Sequence, residues 1–483
     1  MRVALIHFHL KKGGVGSVMA RQVASLAAAG LDVRTAFIVG TPPEGETAAP
    51  CYIASGLDYD ASGGRRPDES SAAKLADSME EAIGRAFPEG CDLLHVHNPL
   101  IHKNAALLGA LRILRERGHA LLVQVHDLAE DFRPEVYDAL SPYPEACDYA
   151  AINGRDRDRL VAAGLEPERV HFLPNPVAFH EGFEPRRGYA LESAKGRRRA
   201  IYPVRAIGRK NLGEALLLSL FLPEGAELAV TLPPTSPGDH AAYEAWKDLA
   251  LSQGLRLRFE VGLGASLAEL YETSFCAVTS SVKEGFGYSY LDPLVRGLPV
   301  VGRAIAHIVG DFGKKGLRFD SLYDGISIPR SALPAPILRE TAAARIATIG
   351  KAYAPAFGRD RDRLDAALEG LRGRFDGEFL DFGAIDPELQ AALVSRLASE
   401  PGFAAEIAGL NPFLETLFLS APGSEAATRR RDAVLEGYSE KEYGKLLFEA
   451  YRSAVAGGAR GRIDKARFLE SYLEPSSFFL CAS

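Results

Sequence analysis

The chain has 483 residues, more than one hydrophobic core usually serves, so two domains and an appendage are expected. Its 47% hydrophobic and 25% charged residues are those of an ordinary globular protein. A formal charge of -7 and a pI near 6.0 argue against a broad nucleic-acid-binding face and leave room only for a local basic groove, so no nucleic-acid partner is expected. The five cysteines (Cys51, Cys91, Cys147, Cys276, Cys481) are dispersed with no CxxC spacing and read as reduced thiols. No apolar run approaches the roughly 20 residues of a membrane span. Met1-Arg2-Val3-Ala4-Leu5-Ile6-His7 runs straight into a strand, which argues against a signal peptide and for a cytoplasmic location.

In chain order, a β run over 3–8 precedes a helix over 16–29. There Val18, Met19, Gln22, Val23 and Leu26 recur at helical spacing, and Gly30 supplies the stop. Strands are expected at 33–39, 93–96, 120–125, 149–152 and 170–173, with a helix over 105–117 that ends at Gly118. Such alternation implies a parallel sheet covered on both faces, over residues 1–180. Over 181–199 the pattern lapses at Gly182, Pro185 and Gly188, and with the basic run Lys195-Gly196-Arg197-Arg198-Arg199 it reads as a linker. A second series fills 200–340, with strands at 200–204, 227–232, 255–261, 276–279 and Val300-Val301, and helices at 212–220, 243–252 and 267–272. Two doubly wound units in succession predict a cleft where the carboxyl ends of their sheets face each other. From about 340 the pattern is helical, over 341–353, 359–371 and onward to Leu469, and no strand series resumes in 341–483.

Four segments carry chemistry. Gly13-Gly14-Val15-Gly16 lies between the first strand and the first helix, where bare backbone N–H groups and a helix N-terminus favour an anion. The string Lys12-Gly13-Gly14-Val15-Gly16-Ser17 also has the look of an ATPase P-loop. That loop needs a lysine just before the Ser/Thr, and here Ser17 follows Gly16 directly; a plain tight turn is the other reading. His126-Asp127 ends the strand at 120–125, where a neutral imidazole can accept from a hydroxyl while Asp127 fixes its tautomer, or serve only as a strand end. His95 and His97 alternate with Leu94 and Val96 and read as structural as readily as acceptor contacts; no third ligand gives metal spacing.

Arg205-Ala206-Ile207-Gly208-Arg209-Lys210-Asn211 follows the first strand of the second series. Fixed cations there, Arg205, Arg209 and Lys210, can face the charge that gathers on a leaving diphosphate, or form an ordinary surface cluster. Ser280-Ser281-Val282-Lys283-Glu284-Gly285-Phe286-Gly287-Tyr288-Ser289-Tyr290-Leu291-Asp292 follows a strand and opens a helix. Gly285, Phe286 and Gly287 present amides to a pyrophosphate. Glu284 stands at the strand end, and Asp292, read as a little over two helical turns on, returns to a similar face, suiting the pair to sugar hydroxyls. A helix cap and a surface acid are the alternative. Pro293 lacks a helix donor and is expected to kink the helix.

Glu284-Gly285-Phe286-Gly287, the carboxylate of Asp292 eight positions on, and Gly297-Leu298-Pro299-Val300-Val301 resemble the E-x7-E region of retaining glycosyltransferase family four. The likeness covers roughly residues 1–310. It implies the GT-B fold, two Rossmann-like doubly wound domains facing across a cleft, followed here by the helical region. It implies metal-independent transfer of a hexose from a nucleotide sugar (UDP- or GDP-hexose) with retention, with the donor on the second domain and the acceptor on the first. The matched roles are Glu284 at the donor sugar, Phe286 and Gly287 through their amides, Arg205 and Lys210 on the diphosphate, and His126 near donor and acceptor. Asp292 falls to the ribose, where the family usually has glutamate. Leu173-Pro174-Asn175-Pro176-Val177 resembles the family's Pro-Asn turn. The acceptor is expected to be a small molecule or glycan, because no basic amphipathic face speaks for a membrane. The tail, through Phe478, Phe479 and Leu480, is read as crossing back onto the first domain. A nucleotide-sugar 2-epimerase and a non-catalytic nucleotide-sugar-binding protein would share these features.

Overall fold

The computed structural model describes residues 1–11, 14–60, 68–177, 199–419, 424–458 and 460–482, so Gly13 and nearly all of the expected linker lie outside the described residues. The chain forms two compact units, each assembled from separate stretches: Met1–Ala178, Thr348–Leu368 and Tyr438–Glu474 in the first, Phe179–Ala347, Glu369–Gly437 and Pro475–Ser483 in the second.

The first stretch carries β1 (Arg2–His7), α1 (Gly14–Ala28), β2 (Arg34–Val39), β3 (Cys51–Ile53), α2 (Glu69–Ala86), β4 (Leu93–His97), α3 (Leu107–Glu116), β5 (Leu121–Val125), β6 (Asp148–Ala151), α4 (Gly154–Ala162) and β7 (Val170–Phe172). Its seven strands run parallel in the order β3-β2-β1-β4-β5-β6-β7. The second unit begins with β8 (Arg199–Arg205), α5 (Leu212–Ser219), β9 (Glu227–Leu232), α6 (Pro237–Ser252), β10 (Leu257–Arg258), α7 (Leu267–Glu272), β11 (Cys276–Thr279), α8 (Tyr288–Val295), β12 (Val300–Arg303), α9 (Ala306–Lys314) and β13 (Leu322–Tyr323). Its six strands are also parallel, in the order β10-β9-β8-β11-β12-β13. The rest is β14 (Ser327–Pro329), α10 (Ala335–Phe357), α11 (Arg361–Gly373), β15 (Phe379–Asp381), α12 (Pro387–Ser399), α13 (Pro401–Leu410), α14 (Phe413–Thr416), α15 (Ser424–Tyr438), α16 (Glu440–Ala456) and α17 (Lys465–Glu470).

Both faces of the first sheet are buried, which is why its strands read as nearly continuous apolar runs. On one face Ala4, Ile6 and Val96 meet Leu75 and Met79 of α2, Leu111 of α3 and Phe468 of α17. On the other, Val3 and Leu5 pack with Met19 and Leu26 of α1 and with Tyr443, Leu447 and Tyr451 of α16. The α1–α16 crossing is close: a Cβ on Gly444 would lie 2.1 Å from the Ser25 carbonyl oxygen, so only glycine fits there.

The structure differs from the sequence reading in several places. The strand expected at 255–261 shrinks to β10, because Glu260 turns left-handed (φ 63°) and Val261–Leu263 coils into a 3-10 turn. The helical C-terminal region contains one antiparallel pair, β14 with β15. The long helix α2 follows the N-cap Asp68, whose side chain accepts from Ser71 N. The tail packs within the second unit, where Phe478 stands edge-on to Phe375 and the Cys481 thiol points to Gly383 O at 3.0 Å; the stretch Tyr438–Glu474 is the one that joins the first unit. Among the described residues no helix is long and apolar enough to cross a membrane.

Candidate functional site

In a parallel sheet, ligands gather beyond the carboxyl ends of the strands where the strand order reverses. In the second unit that point lies between β8 and β11. Arg205 ends β8, and the turn Gly208–Lys210 follows it; the loop 280–287 follows β11. Val282 N donates to Arg209 O at 3.0 Å, and Ser280 Oγ reaches Lys210 O and Asn211 O at 3.0 and 2.9 Å. The buried Tyr202 hydroxyl also donates to Lys210 O. These bonds hold the two loops together and bring Lys210 Nζ to Glu284 Oε1 at 2.5 Å, with the Glu284 side chain 9% exposed. Burial pushes the Glu284 carboxyl up, but the charges of Lys210 and Arg209 and the hydrogen bond from Lys210 outweigh it and hold it below the usual range.

The cation turn stands on a buried base. Asn211, just after Lys210, adopts the left-handed region (φ 56°, ψ 58°), which asparagine tolerates when its side chain is bound. Its Nδ2 donates to Glu214 Oε2 at 2.8 Å, and its Oδ1 accepts from Gln390 Nε2 of α12 at 2.9 Å. Glu214, fully buried, is gripped by Arg303 at 2.9 and 2.5 Å, and Arg303 in turn binds Asp381 of β15 at 2.9 and 2.7 Å. The sequence reading missed Glu214, Gln390, Arg303 and Asp381.

Gly287 is the N-cap of α8 with φ 98°, and the first turn of that helix holds no acid, so its amides face no fixed negative charge of their own helix. Phe286 is buried beside Tyr288 and Phe312 and anchors the turn. A Cβ on Gly287 would meet Ile308 Cγ2 at 2.7 Å and Tyr290 Cδ2 at 2.9 Å. Gly287→Ala is therefore expected to cost about 1–3 kcal/mol in chemical denaturation. Gly310→Ala in α9, where an added methyl meets nothing within 4 Å, should be neutral or slightly stabilising.

Arg205 and Asp292 stand differently from the rest. Arg205 Nη1 donates to Pro233 O at 3.2 Å, and its other guanidinium nitrogens have no hydrogen-bond partner among the described residues. Glu284 and Asp292 are not on one helical face, because α8 begins only at Tyr288; a loop and the left-handed Gly287 separate them. The half-buried Asp292 acts electrostatically on the Tyr271 hydroxyl. Pro293 sits inside α8, which ends two residues later.

In the first unit the order reverses between β1 and β4, whose last residues are His7 and His97. His7 Nδ1 lies 3.2 Å from the His97 carbonyl oxygen, so it carries the proton. His97 Nδ1 lies 3.0 Å from Nε2 of His126, which follows β5, and the two rings stack. From His7 a second arc runs through His9 and Tyr59 to Lys103, whose Nζ is 5.6 Å from the Tyr59 ring centroid. Arg133, 3.8 Å from Asp127, returns the arc to His126. His7, His9, Tyr59, Lys103 and Arg133 were not singled out from sequence; the strand-end string His7-Phe8-His9 was the available signal. Gly14, Val15 and Gly16 form the first turn of α1 rather than a loop before it, with Val15 packed on the core. Asn175 is buried next to Pro176, whose carbonyl accepts from Arg21 Nη1 at 2.9 Å. Among the described residues no group of three or more His, Cys, Asp or Glu side chains is arranged to hold a metal ion.

Behind this ring a buried chain fixes tautomers. The Gln124 side-chain oxygen can only accept, so His95 Nε2, 2.9 Å away, carries its proton and His95 Nδ1 accepts from the Tyr451 hydroxyl at 3.0 Å. Burial pushes His126 down to about 4 despite Asp127, and His7 and His95 down to about 3. The rings are thus neutral near pH 7, and His126 can serve only as a neutral donor or acceptor. Because the folded values lie below the ordinary 6.5, the unfolded chain binds more protons in acid. Stability should fall as pH drops from about 6.5 towards 4, and histidine NMR titration should show no inflection from His126 between about pH 5 and 8. An imidazolium signal near neutral pH would contradict this.

Two doubly wound parallel units, each with its polar residues at the strand-order reversal, define the GT-B fold. In sequence the chain is similar to a mannosylglucosyl-3-phosphoglycerate synthase from Petrotoga mobilis, 24% identical over 418 residues, which are 80% of this chain and 79% of that protein. Among solved structures it is similar to Anabaena HepE in complex with UDP and glucose, at 12% identity and TM-score 0.53, over 94% of this chain and all (100%) of that one. Sucrose-phosphate synthase from Thermosynechococcus elongatus matches at 14% identity and TM-score 0.52, over 94% and 99% of the two chains. A glycosyltransferase from Rickettsia africae matches at 12% identity and TM-score 0.52, over 94% and 98%. No known family profile matches the sequence. The chain has the GT-B fold and resembles glycosyltransferases in sequence and in structure.

Proposed function

We propose that the chain is a retaining glycosyltransferase that moves a hexose from UDP- or GDP-hexose to an acceptor hydroxyl, with the donor on the second unit, the acceptor on the first, and no metal in the step. The observation that carries this reading is the Lys210–Glu284 contact at the β8/β11 switch point, beside the acid-free N-terminus of α8. Lys210, Arg205 and the amides of Gly285, Phe286 and Gly287 take the diphosphate. Arg209 supports the same charge, Glu284 accepts from a hydroxyl of the donor sugar, and Asp292 holds the ribose. As the bond from the sugar anomeric carbon to the phosphate oxygen breaks, that oxygen keeps the electron pair and the nearby cations stabilise it. The anomeric carbon bonds to the acceptor oxygen on the face the diphosphate leaves, and the acceptor's hydroxyl proton passes to the diphosphate. His126, neutral, orients the acceptor. The name of the Petrotoga relative describes a product that joins sugars to 3-phosphoglycerate, which supports a small acceptor that already bears a sugar.

The test is incubation with UDP-glucose or GDP-mannose, with and without glucosylglycerate. Nucleoside diphosphate released only with acceptor, and a product with the donor's anomeric configuration, is expected. Sugar isomerised without acceptor would replace this reading with an epimerase, and an inverted product would overturn retention.

A further inference from the structure

The polar ring at the β1/β4 switch point of the first unit divides by charge. One arc is neutral: His7, His97 and His126 stay unprotonated near pH 7 because they are buried. The other carries Lys103 and Arg133, and neither cation is hydrogen-bonded to a carboxylate among the described residues. The Lys103 ammonium, half-buried over Tyr59, makes no hydrogen bond or ion pair with the described residues. Arg133 meets Asp127 and Glu135 only at 3.8 and 3.9 Å, beyond hydrogen-bond length. The two also feel each other: burial first, and then Arg133, lowers the Lys103 pKa, with Glu135 opposing them. Like charges drawn partly out of water with no carboxylate at bonding distance are held at a cost. A planar or tetrahedral oxyanion between them would relieve that cost and add charge-assisted hydrogen bonds.

We infer that Lys103 and Arg133 form an oxyanion site, so that the acceptor carries a carboxylate or phosphate group in addition to the hydroxyl that receives the sugar. The inference rests on the acceptor lying in the first unit. It assigns the division of labour there: the imidazole arc reads sugar hydroxyls, and the cationic arc reads the anion. A neutral acceptor of the same size would leave Lys103 without an ion pair and Arg133 with only its long contacts to Asp127 and Glu135, and would bind weakly for that reason.

Three acceptors of identical sugar separate the alternatives: glucosylglycerol, glucosylglycerate and glucosyl-3-phosphoglycerate. We expect kcat/KM for the anionic acceptors to exceed that for glucosylglycerol by at least about tenfold, and the ratio between the two anionic arms tells carboxylate from phosphate. Lys103→Ala and Arg133→Ala should bring that preference to within about twofold, chiefly through the KM for the anionic acceptors. Lys103→Arg should retain most of it, and nucleoside diphosphate affinity should hold in all three variants. Equal use of glucosylglycerol by the wild type, or an undiminished preference in both alanine variants, would overturn the inference. If no acceptor is used at all, the functional reading falls first. Calorimetric titration of 3-phosphoglycerate into wild type and Lys103→Ala then decides the oxyanion site by itself: heat lost in the variant supports it, and no heat in the wild type overturns it.

Discussion

Glu284→Ala is expected to lower kcat by about 10²–10³-fold while nucleoside diphosphate affinity holds or rises slightly. The carboxylate is nearly buried and bound to Lys210, so it is a fixed acceptor whose position costs no reorganisation when a donor hydroxyl meets it. Removing it loses that contact and also takes one carboxylate partner from the Lys210 ammonium, which can then turn more fully to the diphosphate. Transfer of the sugar should therefore fall while binding of the nucleotide does not, a split that simple unfolding would not give. The same pair sets an acid limit. The folded Glu284 pKa is depressed, so its contribution to stability is complete above its ordinary 4.5 and is lost as pH falls through the lower folded value. Turnover equal to the wild type in the alanine variant, measured as nucleoside diphosphate release, would remove Glu284 from the reaction.

The largest stability effect is expected at Arg303. Its guanidinium, 3% exposed, bridges the wholly buried Glu214 and the carboxylate of Asp381, and it also donates to Asp324 O at 3.1 Å. Burial pushes the Asp381 carboxyl up, yet Arg303 holds it below the ordinary carboxylate range. Arg303→Met leaves two carboxyl groups with no cation bridging them, a change that costs about 3–5 kcal/mol for a broken buried pair. Glu214 would be driven to take a proton, and its hydrogen bond to Asn211 would weaken. Because Asn211 fixes the left-handed step after Lys210, nucleotide affinity should fall along with the melting temperature. Chemical denaturation and nucleotide titration on the same preparation would check both, and an unchanged unfolding midpoint would refute the role given to the triad.

How much of this could be read from sequence depends on whether the partners are neighbours in the chain. The strand–turn–helix strings around Lys210 and Glu284 carry their chemistry in contiguous residues, and the alternation of apolar runs exposes the two parallel sheets. The supports are different. Asn211 is held by Gln390 from 179 residues away, Arg303 by Asp381 at 78, and His95 by Tyr451 at 356, separations across which spacing says nothing. The helix α2 was legible in principle, but alanines at positions 72, 76 and 82 make a weak apolar stripe. The left-handed Gly287 hid the true relation of Glu284 to Asp292, because an eight-residue spacing signals a shared face only if the helix runs throughout.

The central claim is that the second unit holds a nucleoside diphosphate at the β8/β11 switch point, and calorimetric titration of UDP and GDP into the wild type and Lys210→Met tests it most directly. One of the two nucleotides should bind the wild type, and the loss of charge-assisted bonds should weaken it by about 10–100-fold in the variant. Equal affinity in both proteins, or no binding of either nucleotide, would contradict the account.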